Sequence, residues 1–333
     1  MLKAHELQYT YPETSPQKGL FSISFELEKG KVLAVTGPSG SGKSTLLKAV
    51  YGLVDLEKGS VELEGEKVKG PAYKLLPGHD RMRLVYQDFK LLWKHKVYDN
   101  IEQQLRHLLD DEKHEAVLYF LQLCGLTEHQ AKLPEQLSGG QQQRLSIARA
   151  LAGDPEVLLL DEPFSQLDNV LQAQLMQHVL EHVRQNQLAV LYTTHDPNEA
   201  LQHGDEVLYM EGGKEVQKGV GKELFFKPKT ISIGHYFGIL NVVEKEVFEQ
   251  LFGETNLQHC IDDNVLFRPN QVLLAEDGIA MQIEHIAFAG TDQLVVLSNG
   301  KQKIKAAFSS AMPLSEKDEV RVKLLPNPLF TVQ

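Results

Sequence analysis

The sequence predicts an α/β domain of the phosphate-loop type followed by a second domain made mostly of β-strands. Three observations carry this. A Gly-rich loop at residues 37–45 stands between an apolar run and a helix-forming stretch. Short continuous apolar runs near residues 32, 157 and 188 have the look of buried strands. After Gly219-Val220-Gly221 and Pro228 the texture changes to strands and hairpins, a composition shift that marks a domain boundary.

Taken in chain order, residues 1–30 alternate apolar and polar positions, as in Phe21-Ser22-Ile23-Ser24-Phe25-Glu26-Leu27, and stop at Glu28-Lys29-Gly30. A period of two ending in a Gly turn predicts antiparallel strands, hence a β-rich opening subdomain. Val32-Leu33-Ala34-Val35, Val157-Leu158-Leu159-Leu160 and Leu188-Ala189-Val190-Leu191-Tyr192 are uninterrupted apolar runs flanked by turn residues, the pattern of central strands covered on both faces. Residues 99–135 read as helical, with Ile101, Leu105, Leu108 and Leu109, then Val117, Leu118, Leu121 and Leu123, at spacings near three and four. The expected division is therefore 1–229 and 230–333, with a helical subdomain at about 88–150 inserted in the α/β core. In the second part, Asn299-Gly300 between two apolar runs predicts a two-residue hairpin. Val320, Val322 and Leu324 alternating with Arg321 and Lys323 predict a strand with one buried face.

At 333 residues the chain can build two cores. With 42% hydrophobic and 24% charged residues it has an ordinary soluble composition. No apolar run approaches the roughly 20 residues that a spanning helix needs. The first residues, Met1-Leu2-Lys3-Ala4-His5-Glu6, lack the basic start and apolar stretch of a secretory signal, so a cytoplasmic chain with at most a peripheral membrane role is expected. Cys124 and Cys260 stand far apart in sequence; two thiols so placed predict neither a disulfide framework nor a zinc site, and buried free thiols are expected. The net charge of -11 is spread along the chain, with 8 basic and 13 acidic residues in 230–333. Without a basic lobe, nucleic acid is not expected as a main partner.

The loop reads Gly37-Pro38-Ser39-Gly40-Ser41-Gly42-Lys43-Ser44-Thr45. Gly, four residues, then Gly-Lys-Ser lets backbone N–H groups of a tight turn and a helix N-terminus converge on the phosphates of a nucleotide. Lys43 would neutralise the β and γ phosphates, and Ser44 would hold Mg²⁺, a hard cation that prefers oxygen. The run ending Leu160-Asp161-Glu162 puts two carboxylates at the carboxyl end of a buried strand, where parallel sheets bind their ligands. There Asp161 would reach the Mg²⁺, and Glu162 would orient or deprotonate the water that attacks the γ-phosphate. Either element alone could be a simple turn or a solvated strand end; together they point to a nucleotide.

Between them stands Leu137-Ser138-Gly139-Gly140-Gln141-Gln142-Gln143-Arg144, followed by Leu145, Ile147, Ala148 and Leu151 at helical spacing. Ser138-Gly139-Gly140-Gln141 resembles the signature of ATP-binding cassette (ABC) ATPases, as does its place after the phosphate loop and just before Asp161-Glu162. A Ser-Gly-Gly turn feeding a helix exposes N–H groups and the positive end of a dipole, which suit a phosphate; a helix N-cap by Ser138 is the plainer reading. The resemblance implies a head-to-tail pair of copies, in which the signature of one closes over ATP held by the other. It also implies that Gln87 senses Mg²⁺ and water, that His195 in Thr193-Thr194-His195-Asp196 contacts the γ-phosphate, and that Asp168 in Ser165-Gln166-Leu167-Asp168 couples the two sites. Tyr11 in Tyr9-Thr10-Tyr11-Pro12 resembles the aromatic that stacks on adenine, with Tyr9 the alternative.

The resemblance extends past residue 229. Phe237-Gly238-Ile239-Leu240-Asn241, Phe267-Arg268-Pro269 and Asp318-Glu319-Val320-Arg321-Val322 are similar to the transport-associated oligonucleotide/oligosaccharide-binding (OB)-like, or TOBE, domain of bacterial import ATPases. An ATP-hydrolysing subunit of an importer is implied, working with separate membrane permease subunits and, indirectly, a substrate-binding protein. An exporter subunit and a soluble non-transport ABC ATPase are the other readings. The latter needs a long coiled-coil insertion or a second cassette, and Ser138 follows Thr45 by only 93 positions. One departure stands out. Importers of this group usually carry a segment like Ala-Leu-Phe-Pro-His where the permease docks, whereas this chain has Lys90-Leu91-Leu92-Trp93-Lys94-His95-Lys96, which leaves open the permease and its cargo, be it iron, polyamine, an inorganic anion or a sugar.

Overall fold

The computed structural model describes residues 1–11, 18–86, 88–164, 169–253 and 258–328, with the side chains of Asn169 and Val170 excepted. The chain divides into two compact units, Met1–Lys218 and Gly219–Gln333.

In the first unit, β1 (Leu2–Thr10), β2 (Gly19–Leu27) and β3 (Val32–Thr36) are followed by α1 (Lys43–Tyr51), β4 (Lys58–Leu63), β5 (Glu66–Lys67) and β6 (Met82–Val85). Helices α2 (Val97–Glu102), α3 (Asp110–Leu123) and α4 (Gly139–Ala152) come next. Then β7 (Val157–Asp161), α5 (Asn169–Gln185), β8 (Ala189–Thr193), α6 (Pro197–His203), β9 (Glu206–Glu211) and β10 (Lys214–Gly219) complete it. The alternating opening forms the antiparallel sheet β2-β1-β4-β5, and the continuous apolar runs form the centre of the sheet β10-β9-β3-β8-β7-β6. Every residue of β3 and β8 is buried. That burial on both faces explains why these strands do not alternate. Leu46, Leu47 and Val50 of α1 meet Leu33 and Val35 of β3, Leu159 of β7, Leu191 of β8 and Leu7 and Leu20 of the antiparallel sheet in one core. Each fully buried leucine contributes about 1.5–3 kcal/mol. Parallel pairing of β3 with β8 and of β8 with β7 brings the carboxyl ends of all three strands to one edge, and that edge carries the site.

Two local expectations are corrected. The helical periodicity through Ile101, Leu105, Leu108 and Leu109 is interrupted between Glu102 and Asp110: Leu105 is buried by a turn, and Leu109 is exposed as the residue preceding α3. Asp110, Asp111 and Glu112 fill the first turn of α3, where carboxylates favour a new helix start. Cys124 is buried as expected, whereas Cys260 is exposed, because it lies on a short strand with its odd position turned outward.

The second unit holds α7 (Gly221–Phe226), α8 (Ile231–Tyr236), β11 (Asn241–Glu244), α9 (Lys245–Phe252), β12 (His259–Ile261), β13 (Asn264–Phe267), β14 (Val272–Ala289), β15 (Asp292–Ser298), β16 (Lys303–Ser309) and β17 (Glu319–Leu324). Its strands form two antiparallel sheets, β11-β13-β12 and β16-β15-β14-β17. They share a core that includes Phe248, Phe267, Ile283, Leu297 and Val322. The hairpin at Asn299-Gly300 is present but four residues long, since Ser298 pairs with Lys303. The Asn299 carboxamide accepts from the N–H groups of Lys301 and Gln302 at 3.0 and 2.8 Å, a side-chain turn that outcompetes the tight two-residue form.

Arg268 is the anchor of this unit. It is buried, with its guanidinium over the Phe225 ring at 4.0 Å. It donates to the carbonyls of Phe225, Gly234, Gly238 and Ile239, at distances from 2.6 to 3.1 Å. Five N–H donors in a fixed fork gather α7, α8 and the segment behind them onto β13. Burial lowers its pKa to about 10, so the charge persists at neutral pH. Arg268→Leu leaves those carbonyls without a donor and is expected to lower the unfolding free energy of the second unit by about 3 kcal/mol or more; a urea titration followed by circular dichroism that returned the wild-type midpoint would contradict this.

Candidate functional site

The loop after β3 owes its path to glycine. Gly37 has φ +143°, and a Cβ there would lie 2.0 Å from the Met210 carbonyl oxygen; Gly42, the residue before α1, has φ +99°. Neither position admits an ordinary side chain without displacing backbone. Lys43 turns back across the loop, its amine donating to the carbonyls of Gly37 at 2.9 Å and Pro38 at 3.2 Å. Burial lowers its pKa, while the nearby Glu162 and Asp161 carboxylates raise it. The ammonium is thus held inside the ring of backbone that a phosphate chain would enter.

Next to α1, Ser44 Oγ donates to Asp161 Oδ1 at 3.0 Å. Asp161 pairs in register with Thr193 across β7 and β8, and Thr193 Oγ1 donates to the same carboxylate oxygen at 2.8 Å. The Glu162 N–H donates to Thr193 Oγ1 at 3.0 Å, and the Glu162 carbonyl accepts from Gln143 Nε2 at 3.1 Å. Glu162 itself has φ +47°, a left-handed conformation that costs a non-glycine residue of order 1–3 kcal/mol. The adjacent hydroxyl of Ser44 and carboxylate of Asp161 are a hard oxygen pair, a donor set that fits Mg²⁺ with phosphate and water completing its shell. Among the described residues no group of three or more His, Cys, Asp and Glu side chains forms a metal cage.

A cleft of about 370 Å³ lies over the loop, lined by Tyr11, Lys18, residues 39–45, Glu162, Gly212 and Gly213. Tyr11 OH is 3.0 Å from Thr45 Oγ1 at the cleft wall, whereas Tyr9 packs against the core and meets Tyr11 edge-on at 5.0 Å. His195 follows β8, exposed, with Nδ1 3.7 Å from Glu162 Oε2. Thr194 Oγ1 donates to Glu199 Oε2 at 2.5 Å, and Tyr192 OH donates to the Glu199 carbonyl at 2.9 Å, so the turn that presents His195 is fixed from α6. Burial raises the Glu199 carboxyl, and the hydrogen bonds from Thr194 and Gln172 lower it.

Ser138, Gly139, Gly140 and Gln141 open α4. Ser138 Oγ accepts from the Gln141 N–H at 3.3 Å, and Gln141 Oε1 accepts from the Ser138 N–H at 2.9 Å. The cap reading is therefore realised, and it leaves the positive dipole end of a 14-residue helix facing outward beside an exposed Ser138. Gln87 and Asp168 lie outside the described residues. Thr193, Gln143 and Glu199 were missed by sequence reasoning; the available signal was a pair of threonines closing an apolar strand and a third glutamine running into α4.

The description of the ABC transporter family matches residues 20–165. The spermidine/putrescine import ATP-binding protein PotA of Thermotoga maritima is 36% identical over 232 residues, 69% of this chain and 62% of that protein, so the match spans less than two thirds of that relative. The Fe(3+) ions import ATP-binding protein FbpC 2 of Haemophilus influenzae is 31% identical over 86% of this chain and 80% of its own length. FbpC of Streptomyces coelicolor is 34% identical over 86% and 85%. Among solved structures, a dimeric post-hydrolysis state of the ATP-binding cassette MJ0796 bound to ADP and Pi is similar, with TM-score 0.59 and 28% identity over 66% of this chain and 98% of that one. So is cbiO1 of Clostridium perfringens, part of the cbiONQ transporter complex, with TM-score 0.60 and 28% identity over 68% and 90%. Identity of 31% and 34% sustained over 86% of this chain and 80% or more of two relatives leads to one conclusion: the chain belongs to the ABC transporter family.

Proposed function

We propose that this chain is the ATP-hydrolysing subunit of an ABC importer, converting ATP to ADP and phosphate to drive conformational change in separate membrane subunits. The observation that carries the reading is the convergence of Lys43, Ser44, Asp161 and Glu162 on one cleft at the carboxyl ends of β3, β7 and β8. The nucleotide's adenine stacks on Tyr11, its phosphates lie in the loop of Gly37, Pro38, Ser39, Gly40, Ser41, Gly42, Lys43, Ser44 and Thr45, and Lys43 neutralises charge at the β and γ positions. Mg²⁺, held by Ser44, Asp161 and Gln87, supplies electrostatic stabilisation of the phosphoryl group when bound. Glu162 accepts a proton from the attacking water, and His195, whose Nδ1 is 3.7 Å from the Glu162 carboxylate, contacts the γ-phosphate.

The cleft is open over the loop, and Ser138-Gly139-Gly140-Gln141 presents a second phosphate-seeking surface elsewhere on the same unit. Two copies arranged head to tail would each supply the signature to the other's ATP, with Asp168 coupling the two sites; the dimeric cassette bound to ADP and Pi among the similar structures supports the pairing of two copies. The channel is assigned to separate permease subunits, with this chain peripheral on the cytoplasmic face, a reading supported by the import ATP-binding proteins among its relatives; among the described residues no helix is long and apolar enough to cross a membrane. Polyamine and ferric-ion relatives support import, assisted by a substrate-binding protein, and residues 230–333 form the TOBE-like regulatory part. Loop segment 90–96, with Trp93 half exposed and Asn100 fixing the backbone of Leu92, His95 and Lys96, is the permease-facing surface of the helical subdomain at about 88–150.

Glu162→Gln is expected to keep ATP binding and lower turnover by about 10²-fold or more, since a positioned general base contributes ~10²–10⁴; a steady-state rate near wild type would remove Glu162 from this role. Adding Ser138→Arg to the Glu162→Gln chain places a bulky cation where the partner's γ-phosphate would sit, and ATP-dependent dimers should then vanish in light scattering. Dimers of undiminished yield would argue against the shared site.

A further inference from the structure

Glu162 has both of its backbone polar groups held by side chains from two other elements. Its N–H donates to Thr193 Oγ1 from β8 at 3.0 Å, and its carbonyl accepts from Gln143 Nε2 of α4 at 3.1 Å. Both partners are buried, Thr193 to 0% and Gln143 to 2% exposure, and the peptide that they grip has the left-handed φ of +47°. A residue in that region persists only where its surroundings over-determine it. β8 is otherwise apolar up to this point, Ala189-Val190-Leu191-Tyr192, and a hydroxyl at its end requires a partner in the buried sheet. Thr193 finds two: its hydroxyl accepts from the Glu162 N–H and donates a hydrogen bond to Asp161 Oδ1 at 2.8 Å.

We propose that Thr193 and Gln143 are positioning residues for ATP hydrolysis, a two-sided clamp that keeps Glu162 in its left-handed conformation and so aims its carboxylate into the nucleotide cleft. This rests on the reading of Glu162 as general base. Thr193 sets Asp161 and Glu162 relative to each other through one hydroxyl. Gln143 reaches Glu162 from five residues beyond Ser138, on the helix that starts with the signature, so displacement of that helix is transmitted to the base within the same subunit. Neither residue touches the reacting atoms; their effect is on geometry, where a shift of about 1 Å can cost on the order of 10²-fold in rate.

The test compares Thr193→Val, Thr193→Ser, Gln143→Met and Glu162→Gln in the purified full chain, with ATPase kinetics, equilibrium ATP binding and thermal unfolding measured for each. Valine keeps the β-branched shape and removes the hydroxyl. The expected result is a kcat lowered roughly tenfold or more in both Thr193→Val, which loses the bond from the Glu162 N–H and the bond to Asp161, and Gln143→Met, which loses the bond to the Glu162 carbonyl. ATP affinity should stay within about threefold of wild type in both, and Thr193→Ser should recover most of the rate. The Gln143 variant separates the base from the cation site, because the bonds described to Asp161 come from Ser44 and Thr193 and stay in place. Wild-type kcat in both clamp variants, with Glu162→Gln inactive, overturns the clamp while leaving the base assignment standing. Loss of kcat matched by loss of ATP binding and of thermal stability, without rescue by serine, shows a structural role only and also overturns it. An active Glu162→Gln chain removes the reading beneath the clamp and with it the clamp.

Discussion

One carboxylate oxygen ties together three stretches of chain that are distant in sequence. Asp161 Oδ1 accepts from Ser44 at the start of α1 and from Thr193 at the end of β8. This is possible because β3, β8 and β7 lie side by side in parallel, so that the loop after one strand and the carboxylates after another emerge at the same edge. The pairing in turn depends on burial of the strands on both faces, with α1 and the antiparallel sheet packed into one core on one side. The hydrophobic pattern decides the register, the register decides which polar residues meet, and those residues define the chemistry.

Much of this was legible in the residues themselves. Gly37, Gly42, Lys43 and Ser44 have the spacing of a phosphate-binding turn, and the run from Val157 to Glu162 announces a buried strand with charge at its end. What was not legible has a common physical character: it depends on which side chains meet across elements. Thr193 looks like one more β-former until the β7–β8 register sets it opposite Asp161. Gln143 is one glutamine of three until α4 packs beside Glu162. The break before α3 was hidden because Leu105 and Leu109 keep helical spacing while one is buried and the other exposed; periodicity records apolar positions and not the backbone between them. The four-residue hairpin at Asn299 was misjudged for a similar reason, since its carboxamide takes over N–H groups that a tighter turn would have left to the backbone.

The second unit follows a different logic. Its strands alternate and its core is assembled from two antiparallel sheets, but the short helices that precede them are gathered by a buried arginine instead of by apolar contact alone. Asn241 extends the same device, donating to the Lys305 carbonyl at 2.8 Å and accepting from the Lys305 N–H at 2.7 Å. Polar side chains thus substitute for strand pairing where the chain enters the β fold, a dependence on a few specific groups that apolar packing would spread over many.

The proposed account stands or falls on whether the nucleotide site is shared between two copies, with the loop cleft of one closed by the signature of the other. Site-directed cross-linking tests this directly. In a Cys260→Ser background the remaining Cys124 is buried, with its thiol pushed up to about 12, and stays unreactive. One population carries Ser39→Cys and another Ser138→Cys, both at exposed positions, and a short bismaleimide is applied to each alone and to the mixture. The account predicts a cross-linked dimer in the mixture that requires ATP and is weak or missing in either population alone. A mixture that yields no ATP-dependent cross-link, or the same amount without nucleotide, would contradict it.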